Sequence, residues 1–326
     1  MIALKKINLK ILNQISNNYE SRLELESKGL NYVIINTIRR ESMTSVPVYA
    51  FDTITISKND SIYHNNYLKL RIQNLAVCGI KSPHKILPDN INDDDTEDIN
   101  DNNTNLDNSI EIDNQIKINK SSLKQLSMYV DYKNDTKNIV TVTTDDCNFY
   151  KDQKKIKSPF KNPIQIVKLH PDRSINLTAI TKLNIEEKSA IYSPVSIFSY
   201  KELDEFHYNI YIESRGQYTE QEIISIACVN IIKKLDDILK LFLKQNEYKT
   251  EGEIHIENNG YTIGNLLQYS FNLHKNIQYA AVYKKHPLDD NIIIRYKMKK
   301  DDMIGIIKDV HKSLVDVFNL IINKLK

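Results

Sequence analysis

Residues 29–52 read GLNYVIINTIRRESMTSVPVYAFD, and this segment decides the fold. Within it, Leu30, Ile34 and Ile38 recur every four residues, a spacing that predicts an amphipathic helix with one buried face. Pro47 cannot continue a helix, and the apolar residues around it predict an extended strand from about residue 46 to residue 56. The segment therefore predicts a helix that leads directly into a strand.

The residues before this helix alternate between apolar and polar in two short runs, 7–11 and 22–26. Alternation with a period of two is typical of half-buried strands. Polar residues at 14–18 separate the two runs and are expected to form a turn. We therefore expect a β-hairpin before the first helix.

Two long helical segments in the second half of the chain share another pattern. Thr219 and Glu222 form a capping box, from which a helix is expected to run to about residue 244. A second helix is expected over 301–324. The apolar residues of both step by three and four, as in helices packed lengthwise on one another. They are Ile224, Cys228, Ile231, Leu235, Ile238 and Phe242 in the first helix, and Ile307, Val310, Leu314, Val317 and Ile321 in the second.

Length and composition limit the classes of protein to consider. A chain of 326 residues has room for two or three domains. No apolar run reaches the roughly 18 residues that would cross a bilayer, so no membrane contact or secretion is expected. The three cysteines, Cys78, Cys147 and Cys228, are far apart and form no CxxC or CxxH spacing. Neither a metal site nor a cofactor is therefore expected in this chain.

The formal net charge of +2 conceals a contrast between segments. Residues 86–116 include ten acidic residues and no basic one, which leaves about +12 on the rest of the chain. We expect a flexible acidic loop over 88–119, the alternative being a docking segment or nucleic-acid mimic. Conversely, Lys151–Lys161 has five lysines and one phenylalanine. This segment is either a mobile solvated loop or a contact for phosphate or an acidic protein.

The front half carries a family resemblance. Residues 36–40 and 46–52 together resemble the N-terminal signature of the alpha-type subunit of multi-subunit RNA polymerases, the third subunit in eukaryotic-type enzymes. Residues 164–195 resemble a later part of that subunit, which ends in a Ser-Pro-Val strand. Tyr192 stands where the family usually has Trp, and residues 183–185 replace a glycine-containing loop that touches the second-largest subunit.

The rear half extends the resemblance to a second subunit. The strand expected over 206–213, with the turn and helix after it, is similar to the end of the alpha-type subunit. Residues 65–77 resemble the short helix that leads into the family's inserted domain. Thr262–Leu267, TIGNLL, and the run 279–288 resemble signatures of the small alpha-like subunit, the eleventh in eukaryotic-type enzymes.

The resemblance implies an α+β fold in which two alpha-subunit-like dimerisation modules, with helices packed on antiparallel sheets, form an intramolecular pseudo-heterodimer. The first module is interrupted by an inserted, mainly-β domain. The implied domains are 1–60 and 201–244 for the first module, 61–200 for the inserted domain, 245–251 for a linker and 252–326 for the second module.

The same resemblance implies a function. The chain would be a non-catalytic assembly platform of a DNA-directed RNA polymerase, of the kind found in large cytoplasmic DNA viruses, located in the cytoplasm of the infected host cell and in the virion. Its partners would be the largest and second-largest subunits and other small subunits, with DNA and RNA reached only through the complex. The expected partner-binding residues are Asn36, Arg39, Arg40, Lys182, Ser193 and Pro194.

The expected dimerisation residues lie on the three apolar helix faces and in the TIGNLL signature. They are Leu30, Ile34, Ile38, Ile224, Ile231, Leu235, Gly264, Asn265, Leu266, Leu267, Val310, Leu314 and Val317. Gly264 is open to two interpretations, a close backbone approach or cheap tolerance near a helix N-terminus. His286 precedes a proline without a motif for a catalytic partner, which favours a turn residue.

The alternative to a polymerase subunit is a free-standing nucleic-acid-binding protein or transcription factor that uses a basic surface. The lysines of Lys151–Lys161 are its only local support.

Overall fold

A computed structural model describes residues 7–16, 21–82, 109–112, 116–119, 126–151, 154–244, 248–256, 260–289, 291–300 and 302–325. The helices are α1 (Tyr32–Thr44), α2 (Asn65–Gln73), α3 (Glu220–Lys244), α4 (Tyr261–Asn272) and α5 (Met303–Leu325). The strands are β1 (Asn8–Ser16), β2 (Ser21–Lys28), β3 (Val48–Asn59), β4 (Ser109–Ile112), β5 (Ile116–Asn119), β6 (Leu126–Lys133), β7 (Val140–Thr143), β8 (Asn148–Lys151), β9 (Lys154–Ile156), β10 (Gln165–Leu169), β11 (Ser174–Asn184), β12 (Val195–Asp204), β13 (His207–Ser214), β14 (Glu251–Ile256), β15 (Ile277–Tyr283) and β16 (Ile292–Met298).

The chain divides into two compact units, Met1–Val46 with Ser193–Lys326, and Pro47–Tyr192. We call them the dimerisation unit and the inserted unit. The dimerisation unit contains an antiparallel sheet in the order β1-β2-β13-β12 and a second in the order β14-β16-β15. Helix α1 packs against α3 and α4, and α3 packs against α5. Two helix-and-sheet modules, one from each half of the chain, thus lie in one unit, which confirms the predicted α+β fold class.

Local sequence explains where the helices of the dimerisation unit begin. Asn31 caps α1 by accepting a hydrogen bond from the Val33 amide at 3.0 Å. The predicted capping box before α3 is confirmed, since Thr219 Oγ1 accepts from the Glu222 amide and Glu222 Oε2 accepts from the Thr219 amide. Helix α3 therefore starts where the sequence predicts. Helix α1 starts at Tyr32, so Leu30, predicted to lie on its apolar face, precedes the helix.

The inserted unit is mainly β. Its largest sheet has the order β3-β11-β6-β8-β9, and β10 pairs with β7 in a second, two-stranded sheet. Helix α2 contacts β3 and β10. The fully buried side chains of its core include Phe51, Leu68, Ile72, Met128, Phe149, Val167 and Leu177.

The boundaries of the two units differ from the expected domain limits at residues 60 and 200. Strand β3 pairs along its length with β11, which assigns residues 48–59 to the inserted unit. Strand β12 pairs with β13, which assigns residues 195–204 to the dimerisation unit. The first limit follows from the long-range pairing of β3 with β11, and the second from the local pairing of β12 with β13, which itself pairs with β2. No local composition change marks either limit.

Three local expectations need correction. The polar residues at 14–16 continue β1 instead of turning, because Gln14 pairs with Leu23 and Ser16 with Ser21. The expected acidic loop over 88–119 falls largely outside the described residues, but β4 and β5 form an antiparallel pair within it. The expected linker 245–251 lies partly outside the described residues, and its last residue, Glu251, already belongs to β14.

Candidate functional site

The contact between α3 and α5 buries the apolar faces that the sequence predicts. Leu235 and Ile238 of α3 lie around one small gap with Ile307 and Val310 of α5, and Leu267 of α4 reaches the same place. The gap is only about 10 Å³, so these side chains fill the space between the helices. The other predicted residues of the two helices are also at most 5% exposed: Ile224, Ile231, Leu314 and Val317. The predicted lengthwise packing of the two helices is confirmed.

A polar contact fixes the alignment of α3 and α5 beside this apolar surface. His311 Nε2 and Asp236 Oδ1 are 2.7 Å apart, with the carboxylate half-exposed. A hydrogen bond of this length forms only at one alignment of the two helices along their axes. It therefore fixes an alignment that apolar packing alone, which has no preferred direction, would not fix.

Helix α1 meets α3 through an apolar face and two polar contacts. Leu30, Ile34 and Ile38 are at most 4% exposed, as their spacing predicts. Glu41, 4% exposed, accepts two hydrogen bonds from Lys234 Nζ, at 3.0 and 2.8 Å. These two side chains link the first helix of the chain to the long helix that follows the inserted unit.

A second polar contact between these helices involves Asn230, whose amide nitrogen donates to the Ser45 carbonyl at 2.7 Å. Sequence reasoning missed both polar contacts. A signal for them exists, because Glu41 and Ser45 continue the stripe begun by Ile34 and Ile38. A polar residue in a buried stripe needs a partner.

Helices α1 and α4 present equivalent residues to one another. The pattern Ile34, Asn36, Ile38 in α1 matches Ile263, Asn265, Leu267 in α4, since in both the apolar residues are buried and the asparagine between them is not. The two helices also contact each other directly. The same pattern therefore occurs in both helices of the pair, one from each half of the chain, as in a pseudo-symmetric dimer.

A polar groove of about 380 Å³ lies between these two helices. We call it the α1–α4 groove. Its lining residues are mostly amides and hydroxyls: Asn31, Tyr32, Val33, Asn36 and Thr37 of α1 and its cap, and Thr262, Asn265, Gln268, Tyr269 and Asn272 of α4. Several of these polar groups already bond within the chain: Thr262 Oγ1 accepts from Arg40, Gln268 Oε1 accepts from the Val282 amide, and the Asn272 side chain accepts from and donates to the Ala280 backbone.

The two arginines of α1 lie near this groove but engage different groups. Arg39 Nε donates to Asn36 Oδ1 at 3.3 Å, so Arg39 is attached to the groove wall. Arg40 is exposed and its Nε donates to Thr262 Oγ1 at 2.9 Å, a contact from one module to the other. A guanidinium has further N–H groups besides Nε, so these bonds leave donors for a partner.

The remaining predicted partner-binding residues lie outside the helix that carries the two arginines. Lys182 lies in the inserted unit, on β11 opposite Ala50. Ser193 and Pro194 open the second part of the dimerisation unit, where the Ser193 hydroxyl donates to the Val195 carbonyl at 2.9 Å. The Pro194 carbonyl accepts from the Arg215 amide at 3.0 Å, and Pro194 is buried.

The TIGNLL signature divides between the core and the groove. Gly264, Leu266 and Leu267 are buried, whereas Asn265 is exposed and lines the groove between α1 and α4. A Cβ on Gly264 would come within 2.7 Å of Ile292 Cδ1 and 3.0 Å of Val282 Cγ1. The close-approach interpretation of this glycine therefore holds, because any side chain would meet β15 and β16.

His286 occupies a turn, as its sequence context favours. Its amide donates to Asp289 Oδ2 at 3.1 Å and its Nδ1 accepts from the Leu288 amide at 3.2 Å.

Burial raises the pKa of the Cys228 thiol to about 12, so this thiol stays protonated at neutral pH and packs as an apolar group. Within the described ranges, no three His, Cys, Asp or Glu residues are grouped closely enough to hold a metal ion. No helix there is long and apolar enough to span a bilayer.

Comparison with known proteins agrees with this two-module arrangement. Residues 24–235 match a family model described as the RNA polymerase Rpb3/Rpb11 dimerisation domain. Residues 251–324 match a second model with the same description. The chain is also 24% identical over 342 aligned positions to "Putative DNA directed RNA polymerase subunit R470" of Acanthamoeba polyphaga mimivirus, covering 98% of this chain and 92% of that protein.

The two matches cover the two modules that the structure brings together through α3 and α5, and the first spans the inserted unit as well. The alignment to the viral relative extends over both modules, since it covers 98% of this chain. The chain therefore belongs to the Rpb3/Rpb11 dimerisation-domain family, as an RNA polymerase subunit of viral type in which an Rpb3-like and an Rpb11-like module are fused.

Proposed function

We propose that this subunit is a non-catalytic assembly platform on which the largest and second-largest polymerase subunits dock. The platform role needs no cofactor and no nucleic-acid contact by this chain itself, and the subunit works in the cytoplasm of the infected host cell and in the virion. The observation that carries the proposal is the contact between α3 and α5. Two modules that would otherwise have to meet as separate chains pair within one polypeptide, so pairing does not depend on subunit concentration.

The α1–α4 groove supports a docking role for the face that the pairing creates. Burial of the apolar faces of α1, α3 and α5 leaves a polar, amide-lined groove with Arg39 attached to its wall. Interfaces are recognised through such hydrogen-bonding groups around buried anchors, and arginine is enriched there. Asn36, Arg39 and Arg40 would contact the second-largest subunit, with bidentate bonds from the guanidinium groups to carboxylates or backbone oxygens. Lys182, Ser193 and Pro194 would add contacts outside the groove.

A capture experiment tests the docking role. The chain is co-expressed with the two largest subunits of the same polymerase, either as wild type or with Arg39→Ala and Arg40→Ala. We expect the double variant to capture the second-largest subunit at least about tenfold less well, since hot-spot arginines contribute about 2 kcal/mol or more each. Its circular dichroism spectrum should be unchanged, because neither arginine is buried.

The matched control is Lys308→Ala with Lys312→Ala, two exposed cations on α5 that remove the same charge away from the groove. Equal capture by the arginine variant and this control would show that the two arginines are not part of the docking surface. Failure of the wild type to capture either large subunit would refute the platform role itself.

A further inference from the structure

The inserted unit carries a concentrated positive charge that the docking role does not use. Residues 151–161 include Lys151, Lys154, Lys155, Lys157 and Lys161 against one acidic residue, Asp152. We call these five residues the lysine hairpin, because Lys151 ends β8 and Lys154 begins β9, which pairs with it. Strand β9 is the last strand of its five-stranded sheet, so the lysines stand at a sheet edge.

The register of the hairpin places like charges together. Lys151 and Lys154 are directly opposite one another in the antiparallel pair, and Lys155 is opposite Tyr150. Like charges in opposite positions destabilise a strand pair. The repulsion between Lys151 and Lys154 weakens this edge of the sheet. An anionic partner bound to both lysines would relieve it.

The segment that carries these lysines is anchored by two apolar side chains. This differs from the mobile solvated loop that was one of the two alternatives in the sequence analysis. Ile156 packs against the core of the inserted unit. Phe160 is 8% exposed, with its ring centroid 5.9 Å from that of buried Phe149. Lys157 lies between these two anchors, and Lys154, Lys155 and Lys157 are exposed. The charged side chains of these lysines therefore extend from a segment that packing against the core holds in place.

The described carboxylates that precede the hairpin in the sequence lie at the other end of β8. Asp145 and Asp146 precede that strand, and an extended chain of five residues separates Asp146 from Lys151 by about 16 Å. Asp146 is moreover bound to the Thr143 amide and hydroxyl, at 2.8 and 2.9 Å. Among the described residues, the carboxylate ion pairs do not include Lys154, Lys155 or Lys157.

The type of anion follows from what accompanies the lysines. Single-stranded nucleic acid is held by stacking on exposed aromatic rings. The aromatic residues around the hairpin are buried instead: Tyr129, Phe149, Tyr150 and Phe160 are at most 8% exposed. Duplex DNA needs no stacking surface, since it offers one phosphate per roughly 1.7 Å of axis. The stretch from Lys154 to Lys157 spans about 10 Å and so faces about three phosphates of one strand, which follow one another at about 3.4 Å along the axis.

We propose that the lysine hairpin binds the phosphate backbone of duplex DNA without reading its sequence. This goes beyond the platform role, in which nucleic acid is reached only through the other subunits. The hairpin would give this subunit a direct contact with DNA that runs past the polymerase.

Binding of the full chain to a fluorescent 30-base-pair duplex, followed by anisotropy between 50 and 200 mM NaCl, tests the proposal. The variant Lys154→Gln with Lys155→Gln and Lys157→Gln should bind about tenfold or more weakly at 100 mM salt. The slope of log K against log salt should fall by about 2.7, because each phosphate that a lysine neutralises contributes about 0.9 to that slope. The melting temperature should not fall, because the three lysines are exposed and Lys154→Gln relieves the repulsion with Lys151.

The control Lys300→Gln with Lys308→Gln and Lys312→Gln removes the same charge from exposed positions of the dimerisation unit. Equal decreases in affinity in the two triple variants would overturn the proposal, because binding would then follow net charge alone. It would also be overturned if the wild type bound no duplex, or if an acidic peptide of matched charge bound through the hairpin while the duplex did not. Because the isolated chain is used, these outcomes are independent of capture of the large subunits.

Discussion

Replacing Leu235 by alanine tests how much the α3–α5 contact stabilises the protein. Leu235 is 2% exposed and faces Leu267, Ile307 and Val310 around a gap of only about 10 Å³. Removing three carbons at about 0.8 kcal/mol each loses about 2.4 kcal/mol of apolar transfer free energy. A cavity remains because neighbours on three helices cannot all collapse into it, so we expect a total loss of about 2.5–5 kcal/mol.

The assay is urea unfolding monitored by circular dichroism at the helix band, which α3, α4 and α5 dominate. Leu241→Ala is the matched control, since it makes the same change on the same helix at a residue that is 50% exposed. We expect it to lower the free energy of unfolding by about 1 kcal/mol or less, because half of the transfer free energy and no cavity cost applies. Equal losses of stability for Leu235→Ala and Leu241→Ala would refute a tightly packed α3–α5 contact.

Two further predictions concern other parts of the dimerisation unit. Gly264→Ala should destabilise the protein by about 1–3 kcal/mol although alanine favours helix, because the new Cβ meets Ile292 and Val282; a urea midpoint equal to or above that of wild type would contradict it. Hydrogen bonds from His207 and then Lys28 lower the pKa of Glu26 below its ordinary value of 4.5. Since the folded state holds this carboxylate ionised, its contribution is present above about pH 4.5 and is lost as pH falls through the lowered pKa. Glu26→Gln should therefore flatten the acid limb of the stability profile between about pH 5 and 3, and thermal melts that keep the wild-type slope would show that the pair contributes nothing.

The sequence predicted the parts of the fold that local patterns control. The four-residue spacing of Ile34 and Ile38 determines which face of α1 is buried, and the capping box of Thr219 and Glu222 determines where α3 starts. The long apolar stripes of α3 and α5 predicted their mutual packing correctly. These features depend on residues within a few turns of one another.

Features that depend on distant parts of the chain were not predictable in the same way. The α1–α4 groove joins residues about 230 positions apart, and its wall includes Tyr32, Gln268 and Asn272, which no motif singled out. Asn265 was expected in the dimerisation contact, yet its orientation depends on how α4 rotates against α1. The salt bridge between Glu41 and Lys234 also requires the tertiary contact of α1 with α3.

Purification of the native complex from its source, with the mass and identity of every polypeptide determined, tests the platform account most directly. We predict that this chain is recovered with two very large polypeptides, together with other small subunits, in one assembly of defined mass. Recovery of the chain alone, or with DNA but without the two large polypeptides, would contradict the account and favour a free-standing nucleic-acid-binding protein.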